Sequence, residues 1–154
     1  MQNDFLLSLV IRPPRSSYPD DAGMTETQNI GGNQCTIENF TLLNSKGQKL
    51  NCCYITQANL PEDTKRPCVI YMHGNAGNKL EGKSMAWRVL SQGMDLFTFD
   101  FSGCGNSEGE WVTLGWKEAD DLASVLAFIA QKGRTSSVAL WGRSMGGATA
   151  LRFD

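Results

Sequence analysis

Val138-Ala139-Leu140-Trp141-Gly142-Arg143-Ser144-Met145-Gly146 is the stretch that decides the fold. Its apolar start suits a buried strand, and the small residues that follow, Gly147-Ala148-Thr149-Ala150, suit a closely packed helix. A serine between two glycines, where a strand gives way to a helix, is the pattern of a nucleophile elbow. The turn is so tight that its central residue is strained. Gly142 and Gly146 must therefore be nearly free of side chain, and the Ser144 oxygen is left clear at the apex. The plainer reading is an ordinary serine in a strand-to-helix turn, and the residues upstream decide between the two.

Working back from the elbow, the stripe Ala119, Leu122, Ala123, Leu126, Ile129, Ala130 keeps helical spacing and predicts an amphipathic helix from about Thr113 to Lys132, closed by Gly133. Leu96-Phe97-Thr98-Phe99 and Cys68-Val69-Ile70-Tyr71-Met72 are continuous apolar runs, suited to strands buried on both faces. Between them Met85, Ala86, Val89 and Leu90 mark a further helical stretch that stops at Gly93. Strand, helix, strand, helix, strand is the grammar of a parallel sheet covered by helices, so the fold class is α/β. Ahead of it, Thr36–Leu42 and Leu50–Ile55 flank the turn Asn44-Ser45-Lys46-Gly47 and predict an antiparallel hairpin. Residues 12–34, rich in Pro, Ser, Asp, Asn, Thr and Gly, predict a long surface loop. The chain thus divides into an N-terminal arm and loop, 1–34, and a globular part, 35–154.

Composition narrows the function. The chain has 154 residues, 41% hydrophobic and 19% charged, with a net charge of −2, so it carries no electrostatic footprint for nucleic acid. The cysteines, Cys35, Cys52, Cys53, Cys68 and Cys104, are odd in number and lack metal-ligand spacing, and there is one histidine. They read as reduced, buried small hydrophobes of a cytoplasmic protein, with no metal and no cofactor. Gly103-Cys104-Gly105 lacks the third glycine of a dinucleotide fingerprint. The apolar cluster Phe5-Leu6-Leu7 and Leu9-Val10-Ile11 follows an acidic residue and is too short to span a bilayer. It is expected to dock on the fold, with a peripheral membrane anchor flanked by Arg12 and Arg15 as the alternative. The four tryptophans, Trp87, Trp111, Trp116 and Trp141, read as core or pocket-wall residues.

Three motifs now stand in order. They are Tyr71-Met72-His73-Gly74-Asn75-Ala76, the stretch from Phe99-Asp100-Phe101-Ser102-Gly103 to Glu108-Gly109, and Leu140 to Gly147 around the elbow. Over residues 35 to 154 the chain resembles the N-terminal half of an α/β-hydrolase, of the serine-hydrolase group that includes the serine aminopeptidase-like and α/β-hydrolase-domain proteins. The resemblance implies a partial α/β-hydrolase fold, an antiparallel hairpin and then parallel strands with flanking helices, cut off after the nucleophile elbow. It also implies ester, thioester or amide hydrolysis through an acyl-enzyme, with a small-molecule, acyl or peptide substrate. Ser144 would be the nucleophile. The N–H of Met145, which opens the next helix, would donate to the oxyanion, and by resemblance a second donor is the N–H of Asn75 or of Ala76. Gly74 gives that loop room.

His73, Asp100 and Ser144 run in the order of the chymotrypsin type of triad, but the elbow argues against it. In the α/β-hydrolase arrangement the acid and then the histidine follow the serine. His73 is instead expected to order the oxyanion loop, Asp100 to cap local N–H groups, and Arg143 to pair with a carboxylate near the elbow. No histidine follows Ser144, and the one carboxylate that does, Asp154, belongs to the helix after the elbow. The elbow strand is expected to be an open edge. The chain alone is expected to be inactive, and the alternative function is that of a non-catalytic binding or interaction module.

Overall fold

A computed structural model describes residues 2–153. The elements run α1 (Gln2–Ile11), β1 (Thr25–Ile30), β2 (Asn33–Leu43), β3 (Lys49–Gln57), β4 (Arg66–Met72), α2 (Leu80–Lys83), α3 (Ala86–Leu90), β5 (Asp95–Phe99), α4 (Glu118–Lys132), β6 (Thr135–Gly142) and α5 (Met145–Arg152). The strands form one sheet in the order β1-β2-β3-β5-β4-β6. β1 to β3 are antiparallel neighbours and β3 meets β5 antiparallel, whereas β5, β4 and β6 are parallel. This is the hairpin followed by three parallel strands that the apolar runs predict.

The two-residue period of the strands divides the core. From β4, Cys68, Ile70 and Met72 face the same side as Phe97 and Phe99 of β5, and there they pack with Leu122, Val125 and Ile129 of α4 and with Met145. Val69 and Tyr71 face the opposite side, with Ile55 of β3, Leu96 of β5 and Ala86, Val89 and Leu90 of α3. Each fully buried side chain of this kind contributes about 1.5–3 kcal/mol of transfer free energy. A sheet covered on both faces explains why β4 and β5 read as continuous apolar runs.

Several expectations are corrected. Residues 25–30 lie within the predicted loop but form an edge strand, because their backbone completes a ladder with β2 while their side chains stay mostly exposed. The α4 helix starts at Glu118, not near Thr113. Leu114 and Gly115 take positive φ of 55° and 119°, and the Glu118 carboxylate accepts the N–H groups of Thr113 and Gly115 at 2.8 Å each. The N-terminal arm is a helix that leaves Phe5, Leu6, Leu7, Leu9 and Val10 exposed. It is held at its C-terminal end, where Ile11 O accepts the Val112 N–H at 2.8 Å. None of the tryptophans is in the core: even Trp141 is 39% exposed. Trp111 and Trp116 instead carry the guanidinium groups of Arg12 and Arg152, 4.2 and 4.1 Å from their ring centres. The β6 strand pairs with β4 on one side and forms an edge of the sheet. Asp154 lies outside the described residues.

Candidate active site

The three motifs emerge together because their strands are parallel neighbours in register. Met72 of β4 pairs with Phe99 of β5 and with Gly142 of β6, so His73, Asp100 and Ser144 all leave the sheet at its carboxyl end. Open α/β sheets place their sites there.

The elbow has the strain its sequence demands. Ser144 sits at φ 51°, ψ −113°, a conformation L-residues rarely adopt, immediately before α5. A Cβ on Gly146 would lie 2.2 Å from Met72 O, and one on Gly142 2.2 Å from the Gly146 carbonyl carbon. Both positions must be glycine for β6 to turn into α5 against the end of β4. The Arg143 N–H donates to Met72 O at 3.1 Å and fastens the turn to β4. Met145 is the first residue of α5, so its N–H is one of the end donors that a helix leaves without an intrahelical partner.

His73 is fully buried and engaged on both ring nitrogens. Nδ1–H donates to Gly74 O at 2.7 Å, and Nε2 accepts the Phe101 N–H at 3.1 Å. This pattern assigns the Nδ1–H tautomer. Burial pushes its pKa down, so the ring is neutral. His73 therefore ties the loop after β4 to the loop after β5 and has no nitrogen left for the Ser144 proton. Between them, Gly77 N–H closes the turn onto Gly74 O at 3.0 Å, with Ala76 at φ 60°. The Asn75 side chain reaches out to Val10 O at 3.2 Å.

Asp100 is also fully buried and caps local donors. Oδ1 accepts the Lys79 N–H at 2.6 Å, and Oδ2 accepts the Asn106 N–H at 2.8 Å and the Tyr18 hydroxyl at 2.6 Å. Desolvation pushes its pKa up against those donors. The carboxylate for Arg143 is Glu81, which it grips through two bonds: Nε to Oε1 at 2.6 Å and Nη2 to Oε2 at 2.7 Å. The Tyr71 hydroxyl donates to the same Oε1 at 2.8 Å. Bonding to Arg143 holds the Glu81 carboxyl below its usual range, while burial and then Glu81 push the Tyr71 phenol up to about 12. The chain pattern does not point to Glu81, Tyr18 or the buried Lys79, because each meets its partner only through the tertiary fold.

The geometry has counterparts. A family model described as serine aminopeptidase, S33, matches residues 63–153. The uncharacterized protein YfhR of Escherichia coli K12 is 28% identical over 140 residues, covering 87% of this chain and 45% of its own length. The lysophosphatidylserine lipase ABHD12 of Danio rerio is 32% identical over 92 residues, 58% of this chain and 24% of its own. Among solved structures, the Pyrococcus furiosus esterase Pf2001 superposes with a TM-score of 0.68 at 22% identity, over 93% of this chain and 50% of that one. XC6422 of Xanthomonas campestris, an α/β serine hydrolase without a lid, gives 0.61 at 24% identity over 87% and 58%. The chain spans about half the length of YfhR and of Pf2001.

Proposed function

This chain belongs to the serine aminopeptidase S33 family of α/β-hydrolases, and we propose that Ser144 is the nucleophile of a serine hydrolase working through an acyl-enzyme. The observation that carries the reading is the strained φ of Ser144 between two glycines that no other residue could replace. Such strain persists only where the surrounding structure enforces it, and here it presents one hydroxyl at the carboxyl end of the sheet. Attack by Oγ on an acyl carbon puts negative charge on the carbonyl oxygen. The Met145 N–H, at the positive end of α5, supports that charge from one side, and the N–H of Asn75 or Ala76 supports it from the other. A serine hydroxyl needs a general base. His73 is committed to its own loop and does not serve as that base; in the α/β-hydrolase order the acid and then the histidine come after the serine. Carboxylic esters are the substrate class to try first, since Pf2001 is an esterase and ABHD12 a lipase.

A fluorophosphonate probe on the protein expressed from its complete reading frame tests the assignment. Wild type is expected to label stoichiometrically at Ser144. Ser144→Ala is expected to take no label and to lose ester turnover by at least ~10³-fold, the scale of losing an activated nucleophile. Equal labelling of the two proteins would remove Ser144 from the chemistry.

A further inference from the structure

The residue just before the nucleophile reaches across the site and closes over the opposite loop. Arg143 leaves the elbow backbone, itself fastened to Met72 O, and its guanidinium comes to rest over Gly74: a Cβ there would stand 2.8 Å from Nη2 and 2.9 Å from Cζ. Beyond Gly74 the guanidinium meets Glu81 in a two-bonded fork. The Glu81 carboxylate in turn lies against Gly77, where a Cβ would be 3.1 Å from Oε2. Tyr71, from the strand that feeds the loop, holds the carboxylate from beneath. The turn Gly74-Asn75-Ala76-Gly77 is therefore covered by a planar ion pair, one half of which is covalently next to Ser144.

We propose that the Arg143–Glu81 pair is a positioning clamp that fixes the oxyanion loop at a set distance from the nucleophile. The proposal rests on Ser144 being the nucleophile. Arg143 is more than half exposed although Glu81 is mostly covered, so water screens the pair from one side and its contribution to stability is about 1 kcal/mol or less. Its geometry is nonetheless specific: a bidentate fork, a backing phenol and close packing of the pair on Gly74 and Gly77. Little stability together with exacting geometry is the signature of a device that sets position. Oxyanion donors act only when aimed at the developing charge, and the strain at Ser144 fixes one side of that arrangement already. The clamp fixes the other.

The test uses two variants of the protein from its complete reading frame. Glu81→Gln keeps the size and removes the charge, and Arg143→Lys keeps the charge and removes the fork. With p-nitrophenyl acetate, each is expected to lower kcat by ~10–100-fold, as a misplacement of about 1 Å does. KM should stay within about twofold, because the donors engage the transition state more than bound ester. Urea midpoints should stay near wild type, and amide exchange of residues 74–77 should speed up in both variants. Wild-type kcat in folded Arg143→Lys and Glu81→Gln, or a raised KM with kcat kept, overturns the clamp. If those variants keep wild-type kcat while Ser144→Ala is dead, the clamp alone falls. If Ser144→Ala still turns over ester, the nucleophile assignment falls and the clamp with it. Should Glu81→Gln not fold, Arg143→Lys decides by itself, since its side chain lies largely in water.

Discussion

His73 is the one imidazole of the chain, and its two bonds make it a strut between loops. Burial holds its folded pKa below the ordinary value. Above about pH 7.5, a unit over the unfolded value, the ring is nearly all neutral folded or unfolded and adds no pH dependence. Below that, the unfolded chain takes the proton first, so stability falls with pH by up to ~1.4 kcal/mol per unit until the folded pKa is reached. The buried Asp95, Asp100 and Asp121, whose pKa values burial raises, act in the opposite sense, because they take up protons folded before they do so unfolded. Urea unfolding across pH 5 to 8 is therefore expected to show wild type losing more stability toward pH 5 than His73→Asn, which keeps the aspartates and lacks the ring. An unchanged slope would mean that the ring titrates alike in both states. The supporting role of His73, and that of Asp100, were legible because the elbow excludes a triad built from residues upstream of it. Arg143 was half legible: a cation beside the elbow invites a carboxylate, but the partner it finds, Glu81, lies 62 residues away and no spacing names it.

The short helix α2 bears more on the site than its four residues suggest. It carries Glu81, and beside it Gly82 packs on β5 so closely that a Cβ would lie 2.2 Å from Thr98 Oγ1 and 2.6 Å from its Cβ. Gly82→Ala is expected to push α2 off the sheet and to destabilise by about 1–3 kcal/mol, as overpacked sites do. It should also lower ester turnover, since Glu81 moves with the helix. Urea midpoints together with kcat check this, and a stable variant with full activity would show that the helix yields freely. Elements were readable where burial wrote them. The runs of β4 and β5 and the stripe of α4 face a core, so their spacing survives in the chain. Thr25-Glu26-Thr27-Gln28-Asn29-Ile30 buries almost nothing and is a strand only through its backbone partners on β2, which side-chain patterning cannot reveal. The start of α4 was misplaced because the stripe that identifies the helix begins only at Ala119, and the positive φ of Leu114 and Gly115 keeps the residues before Glu118 out of it.

Across the whole molecule, residues 12–22 form a strap over both loops that flank the site. Arg15 donates to the carbonyls of Gly105, Ser107 and Gly109, Asn106 Nδ2 donates to Tyr18 O at 2.9 Å, and Asn78 Nδ2 donates to Ser16 O at 2.7 Å. Its far end supplies Asp21 to Lys79, whose side chain is fully buried, at 2.6 Å. Breaking a buried pair from one side strands a charge, so Asp21→Ala is expected to cost about 3 kcal/mol in urea unfolding. Glu110→Ala, which breaks the exposed pair with Arg12, should cost less than about 1 kcal/mol. Equal losses would mean that Lys79 finds water or another partner. The same compactness gives the chain a clock. All five cysteines are free and buried, in β2, β3, β4 and the loop after β5. Burial pushes Cys53 up to about 11 and Cys68 and Cys104 up to about 12. A thiol reagent reacts with thiolate, so it meets none of these sulfurs while the sheet holds. A single cysteine placed on the surface, at Ser45 in the exposed turn between β2 and β3 for instance, would then take a spectroscopic label alone, and the slower appearance of the native five would time the opening of the core.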